Sequence, residues 1–225
     1  PLTSVLYVSG GSGLGKTESV KRFFALYNFA ATGQPALITE AGSTMPGFRK
    51  HLRIARDLPV VLDDLCLSTG QSFQKKRIDL GAQVVREAAN KSSVRVSANT
   101  SAEEACTAAG VALTAEFNLS TISDLTRCII IPLTQPVTGG RADDRSIAAG
   151  ALESFLNWFV SRSSQEAQNL RRLYDASLAQ RRMDRLDIGL FCMRWVFQRF
   201  LTFSLDVGGL TQEEHHEFQL YFQNM

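Results

Sequence analysis

The 225-residue sequence contains no CxxC pair, no Cys/His spacing of a metal site, no internal repeat and no low-complexity tract. Its four cysteines, Cys66, Cys106, Cys128 and Cys192, stand 40, 22 and 64 residues apart. A chain of this length closes a core without disulfides, so they read as reduced, mostly core thiols of a cytoplasmic protein. An excess of one charge is also missing: 24 Lys plus Arg oppose 22 Asp plus Glu, a formal +2. The balance is +3 over residues 1–150 and −1 over 151–225, which confines any nucleic-acid grip to local patches. The opening PLTSVLYVSGG lacks the basic and apolar regions of a signal peptide. The most apolar stretch, 188–205, is interrupted by Arg194, Gln198 and Arg199. Arg194, Gln198 and Thr202 recur at i, i+4, i+8, a narrow polar stripe on an otherwise buried helix, and argue against a membrane span. His215 and His216 beside Glu213, Glu214 and Glu217 assign no transition metal, because adjacent helical side chains diverge by about 100°.

What is present is an alternation of short apolar runs with helical patterns over residues 1–140. Strands are expected at Ser4–Val8, Ala36–Thr39, Pro59–Leu62, Val111–Thr114 and Cys128–Leu133, with a further β-like run at Val94–Ser97. Helices are expected at Thr17–Asn28, Pro46–Ala55, Ile78–Ala89 and Ala102–Ala109. Residues 141–225 turn all-helical after a Thr138-Gly-Gly loop: Ser146–Val160, a helix to about Arg182 opened by a Ser163…Glu166 capping box, Leu186–Leu205, and a last one capped by Thr211…Glu214. The pattern predicts an α/β domain with a mostly parallel sheet, followed by a helical domain.

Directly after the first strand, Gly10-Gly11-Ser12-Gly13-Leu14-Gly15-Lys16-Thr17 fits GxxxxGK[ST] and leads into a helix that continues with Glu18. Glycines let successive N–H groups converge on a phosphate, and the helix start adds its positive end. Lys16 supplies the cation for the β- and γ-phosphates, and Thr17 a hydroxyl for Mg²⁺. Forty-seven residues after Lys16, Leu58-Pro-Val-Val-Leu62 runs into Asp63-Asp64. The first acid suits the Mg²⁺ shell, and the second can polarise an attacking water. Asp64 stands where many such ATPases carry the longer Glu. The extra strand at Ala36–Thr39 and the later Val111–Thr114 fit the branch whose fourth strand lies beside the loop strand and ends in a polar sensor. Thr114 and Glu116 are the polar residues there, unless that end is polar only because it meets solvent.

Four segments, GGSGLGKT, LDDL, LTAEF and DLTRCIII, together resemble an AAA+ ATPase close to superfamily 3 helicases. More narrowly, they are similar to an uncharacterised ATPase domain of plasmid- and phage-borne primase-helicase proteins, with Ala115 where that group tends to carry Gly. The resemblance implies a three-layer α/β/α core with a five-stranded sheet and a lid-like helical domain. It also implies ATP with Mg²⁺, and a homo-oligomeric ring in which Arg127 reaches a neighbour's γ-phosphate. A surface arginine flanking a strand is the plainer alternative for Arg127.

Superfamily 3 rings place basic hairpins between the acidic strand and the sensor strand. Lys75, Lys76 and Arg77, then Arg86, Lys91 and Arg95, fall in that interval, as pore contacts for single-stranded DNA or as solvated faces. Arg171-Arg172 and Arg181-Arg182 pose the same pair of readings. The chain opens nine residues before Gly10 and is expected to be the motor core of a longer protein. The leading expectation is Mg-ATP hydrolysis coupled to DNA movement, with Lys16, Asp64, Glu116 and Arg127 catalytic. A nucleotide-dependent switch or assembly ATPase is the alternative.

Overall fold

In strand β1 (Val5–Gly10), Val5 and Tyr7 lie in one buried cluster while Val8 lies in another, packed on by Leu6. This period of two, with both faces apolar, is what a strand inside a parallel sheet requires. The computed structural model describes residues 4–24, 38–40, 44–55, 58–66, 71–90, 110–137, 145–180 and 185–223. The chain divides into two compact units, Pro1–Ala149 and Gly150–Met225.

In the first unit, β1 is joined by β2 (Ile38–Glu40), β3 (Val60–Leu65), β4 (Val111–Ala115) and β5 (Cys128–Leu133). All pair in parallel, in the order β2-β3-β4-β1-β5, so β4 inserts between the strands of the two acidic and glycine-rich motifs. Helix α1 (Lys16–Phe24) sends Val20 and Phe24 into the cluster of Val8, Val61 and Ala112. Helices α2 (Met45–Ala55) and α3 (Gln71–Asn90) send Phe48, Leu52, Val84 and Val85 into the cluster of Tyr7, Leu62 and Leu113. The two clusters share no strand residue, so helices cover both faces. Phe48 is fully buried, and truncating it to Ala would cost about 3–5 kcal/mol.

Helix α3 starts at Gln71, seven residues before the expected Ile78. Gln74, Lys75, Lys76 and Arg77 are straight-chain residues with good helix propensity, so the basic triplet lies inside the helix rather than at its start. Gly81 weakens α3 locally but lets it approach the sheet, since a Cβ there would stand 3.1 Å from Leu65 Cδ1. The expected elements do not include the four-residue helix α4 (Ile122–Leu125); Thr121 caps it by accepting the Asp124 N–H. Strand β3 continues through Asp63 and Asp64 to the fully buried Leu65.

The second unit holds most of α5 (Arg145–Val160), with α6 (Ser163–Gln180), α7 (Arg185–Asp206) and α8 (Gln212–Gln223). Its core is aromatic: Phe155 meets Trp158, Phe200 and Phe203, and Phe159 meets Trp195 edge-on. Such pairs add about 0.5–1.5 kcal/mol beyond the area they bury. The Thr211…Glu214 capping box forms reciprocally, with Thr211 N–H donating to Glu214 Oε2 at 2.9 Å. The Ser163…Glu166 box does not form; Ser163 is already helical, and the buried Glu166 carboxylate accepts two bonds from Arg199 of α7. Nor is α7 buried around its circumference. Leu190, Met193, Val196 and Phe200 are each more than a third exposed, while Trp195, Leu201 and Phe203 are buried on the covered side. No described helix is long and apolar enough to cross a membrane.

The expected run Val94–Ser97, the helix Ala102–Ala109, the loop at Thr138, Cys106, Lys91, Arg95, Arg181 and Arg182 lie outside the described residues. Cys128 is buried, while Cys66 and Cys192 are partly exposed.

Candidate nucleotide site

The site gathers at the carboxyl ends of β1, β3 and β4, the edge where open parallel sheets leave a crevice for ligands. The chain leaves β1 at Gly10, turns through residues 11–15, and enters α1 at Lys16. Gly13 and Gly15 hold φ of 78° and 82°, a region that L side chains rarely adopt. The loop is backed by the segment after β5, where the Val137 N–H donates to the Leu14 carbonyl at 3.1 Å. Gly11, Ser12 and Gly13 are exposed. Lys16 is only 9% exposed, and its ammonium donates to the Gly11 carbonyl at 2.8 Å, folding the cation across the mouth of the loop. The Glu18 side chain is exposed on α1, 3.4 Å from Arg22 one turn on; an exposed i,i+4 pair contributes about 0.3–0.5 kcal/mol.

Three segments far apart in the chain meet at Asp63. Its Oδ1 accepts from Thr17 Oγ1 at 2.9 Å and from Thr114 Oγ1. The Thr114 hydroxyl in turn accepts the Asp64 N–H at 2.9 Å. Thr114 is fully buried, so this hydroxyl has both a donor and an acceptor role filled. Between Leu62 and Leu65, β3 advances three residues while β4 advances two, a one-residue bulge at the acids. Asp64 sits in that bulge at φ 62° with an exposed side chain. The bulge breaks strict alternation: Asp63 is half-buried against Thr17 and Thr114, and Asp64 is exposed. Glu116, half-buried one residue beyond β4, donates its N–H to the Leu65 carbonyl at 3.0 Å.

The sequence offered Thr114 and Glu116 together as the polar sensor at this strand end and placed Glu116 in the catalytic set; it did not pair Thr114 with the acids of β3. The β1–β4 register, with Val8 opposite Thr114, is what puts this hydroxyl beside the loop strand.

Arg127 lies elsewhere. Its carbonyl accepts the Val5 N–H at 2.8 Å, so it stands at the start of β1 whereas the loop leaves the strand's end. Five residues of strand, about 17 Å, separate the two. Arg127 therefore cannot complete its own chain's site. Its Nη1 donates to the Ser123 carbonyl and to Ser123 Oγ at 2.6 Å, while Nε is buried with no hydrogen-bond partner among the described residues. The buried Asp124, just upstream, accepts from Arg86 at 2.7 and 2.9 Å and from Thr121 Oγ1 at 2.6 Å. The Arg86 hydrogen bonds hold its carboxyl below the usual carboxylate range; burial opposes the shift, and Thr121 and the nearby Arg127 charge add to it. Burial pushes the Cys128 thiol up to about 12, with the Asp124 charge adding.

The basic interval divides. Lys75 and Lys76 are exposed on α3. Arg77 donates to the Cys66 carbonyl at 3.2 Å and to its sulfur, and Arg86 is committed to Asp124, so these two guanidiniums serve internal contacts. Among the described residues, no group of three His, Cys, Asp or Glu side chains could hold a metal ion by itself.

No protein-family model and no curated protein matches the chain. A solved structure described as SCCmec type IV Cch, an active helicase, has a similar fold, with a TM-score of 0.57 at 15% identity over 99% of this chain. The match covers 42% of that chain, so the sequence here spans less than half the length of the helicase it resembles. The chain has a helicase-like α/β fold.

Proposed function

We propose that the chain is a Mg-ATP hydrolase of the AAA+ type, the ATPase core of a DNA-translocating helicase from a mobile genetic element. The observation that carries this reading is the contact between Thr17 of the glycine-rich loop, Asp63 of β3 and Thr114 of β4. A hydroxyl and a carboxylate, both hard oxygen donors, meet within 2.9 Å at the end of a loop whose backbone suits phosphate. That donor set fits Mg²⁺, which when bound would neutralise phosphate charge. The loop N–H groups of 10–15 would cradle the β-phosphate. Lys16 would leave the Gly11 carbonyl and take up the γ-phosphate charge. Asp63 would hold the metal's water shell, and Asp64, with Glu116 behind it, would orient the attacking water. Thr114 would keep the two acids in register. Arg127, too far from its own loop, would serve the site of a neighbouring copy in a ring.

The helicase-like fold supports the motor part of the reading, and Lys75 and Lys76 on the exposed side of α3 are the strand contacts it would use. Steady-state ATPase with and without single-stranded DNA is the test. Stimulation that fades with salt is expected; hydrolysis unchanged by DNA at every salt concentration would favour the switch or assembly ATPase instead. Lys16→Ala should lower hydrolysis by about 10²-fold or more, and a variant that keeps wild-type turnover would overturn the site.

A further inference from the structure

Arg127 is carried on a short turn, and its guanidinium is held there by Ser123. Helix α4 has four residues, and Arg127 lies two beyond its end. What fixes that turn is a pair the proposed chemistry does not use. Asp124 is 1% exposed, yet both its oxygens are taken by Arg86 of α3, and the Arg127 N–H donates to the Asp124 carbonyl at 3.1 Å. A fork of two parallel bonds fixes angle as well as distance. The other end of the same helix is tied to the acidic strand, because Arg77 binds the Cys66 carbonyl two residues after Asp64. Nine helical residues, about 14 Å, separate Arg77 from Arg86. One helix therefore joins the segment carrying this chain's acids to the turn carrying Arg127.

We infer that Arg86 and Asp124 are positioning residues that hold Arg127 in the orientation needed to reach the γ-phosphate of a nucleotide bound by a neighbouring copy. This rests on the hydrolase reading above, in which Arg127 acts in trans. The pair touches no nucleotide; it acts through the Asp124–Arg127 turn.

Mixed assemblies of the full chain isolate the effect. Lys16→Ala cannot hydrolyse but still offers Arg127, and Arg127→Ala keeps an intact loop but offers no arginine. Each alone should be inactive, and the mixture active. Adding Arg86→Gln to the Lys16→Ala chain should lower the mixture's kcat at least tenfold with KM for ATP unchanged, and Arg86→Lys in its place should recover part of the loss. The matched control is Arg49→Gln in the Lys16→Ala chain. It breaks a different ion pair on α3, to Glu87, and should complement within twofold. The inference is overturned if Arg86→Gln complements as well as the control, if the control loses as much, or if KM rises while kcat holds. A silent mixture of the two single variants would sink the trans reading of Arg127 and this inference with it. Failure of the wild-type chain to bind Mg-ATP would remove the nucleotide site itself.

Discussion

Thr114 has no acidic or basic group, yet its hydroxyl joins the two acids of the site by donating to Asp63 and accepting from the Asp64 N–H. Thr114→Val keeps the shape but strands the Asp64 N–H in a dry position. The expected cost is about 1–3 kcal/mol by urea denaturation, together with slower ATP hydrolysis. Asp64 adds a second residue-scale prediction. At φ 62° an L residue with a Cβ is strained, and Gly is not. Asp64→Gly and Asp64→Ala should both lose hydrolysis, but the Gly variant should be the more stable by about 1 kcal/mol in thermal melts. Equal stability would mean the bulge relaxes when the carboxylate is removed. Lys16 and the loop glycines were legible because their spacing is covalent and local. The partners of Thr114 were not, since they lie 50 and 51 residues away and the strand register alone brings them together.

At the scale of elements, α3 fixes more than its amphipathic pattern suggests. It packs Val84 and Val85 on the sheet, and it carries Arg86 to Asp124. Asp124 is held below its ordinary value of about 4, chiefly by the Arg86 hydrogen bonds. A carboxyl depressed in the folded state contributes stability above its unfolded value, and that contribution disappears as pH falls through the folded one. Asp124→Asn should therefore flatten the acid limb of the stability curve below about pH 4, and should leave its slope near neutral pH unaltered; urea titrations at several pH values measure this. The sequence pattern starts this helix at Ile78, whereas the Arg77–Cys66 contact supports helix N-terminal to that point. The Thr211 cap was readable from four consecutive positions. Glu166 was not, because its partner Arg199 comes from another helix.

At the scale of the whole molecule, a charge of +2 spread as +3 and −1 allows few phosphate contacts. If two to four phosphates are engaged, the log–log salt slope for single-stranded DNA should lie between about −1.4 and −2.8. Fluorescence anisotropy across salt concentrations measures it, and replacing both Lys75 and Lys76 by Glu should abolish most of it; a slope near −7 would place the grip on other cations. The glycine-rich loop, the acidic strand and the change from α/β to all-helical texture were determined by the sequence itself, because each depends on neighbours along the chain. Which threonine meets which acid, that Asp64 occupies a bulge, that Arg77 and Arg86 are committed to Cys66 and Asp124, and that Arg127 stands at the far edge from its own loop were decided only by the tertiary structure. Those relations depend on parallel register and on the β2-β3-β4-β1-β5 order, which bring together residues that no local pattern connects.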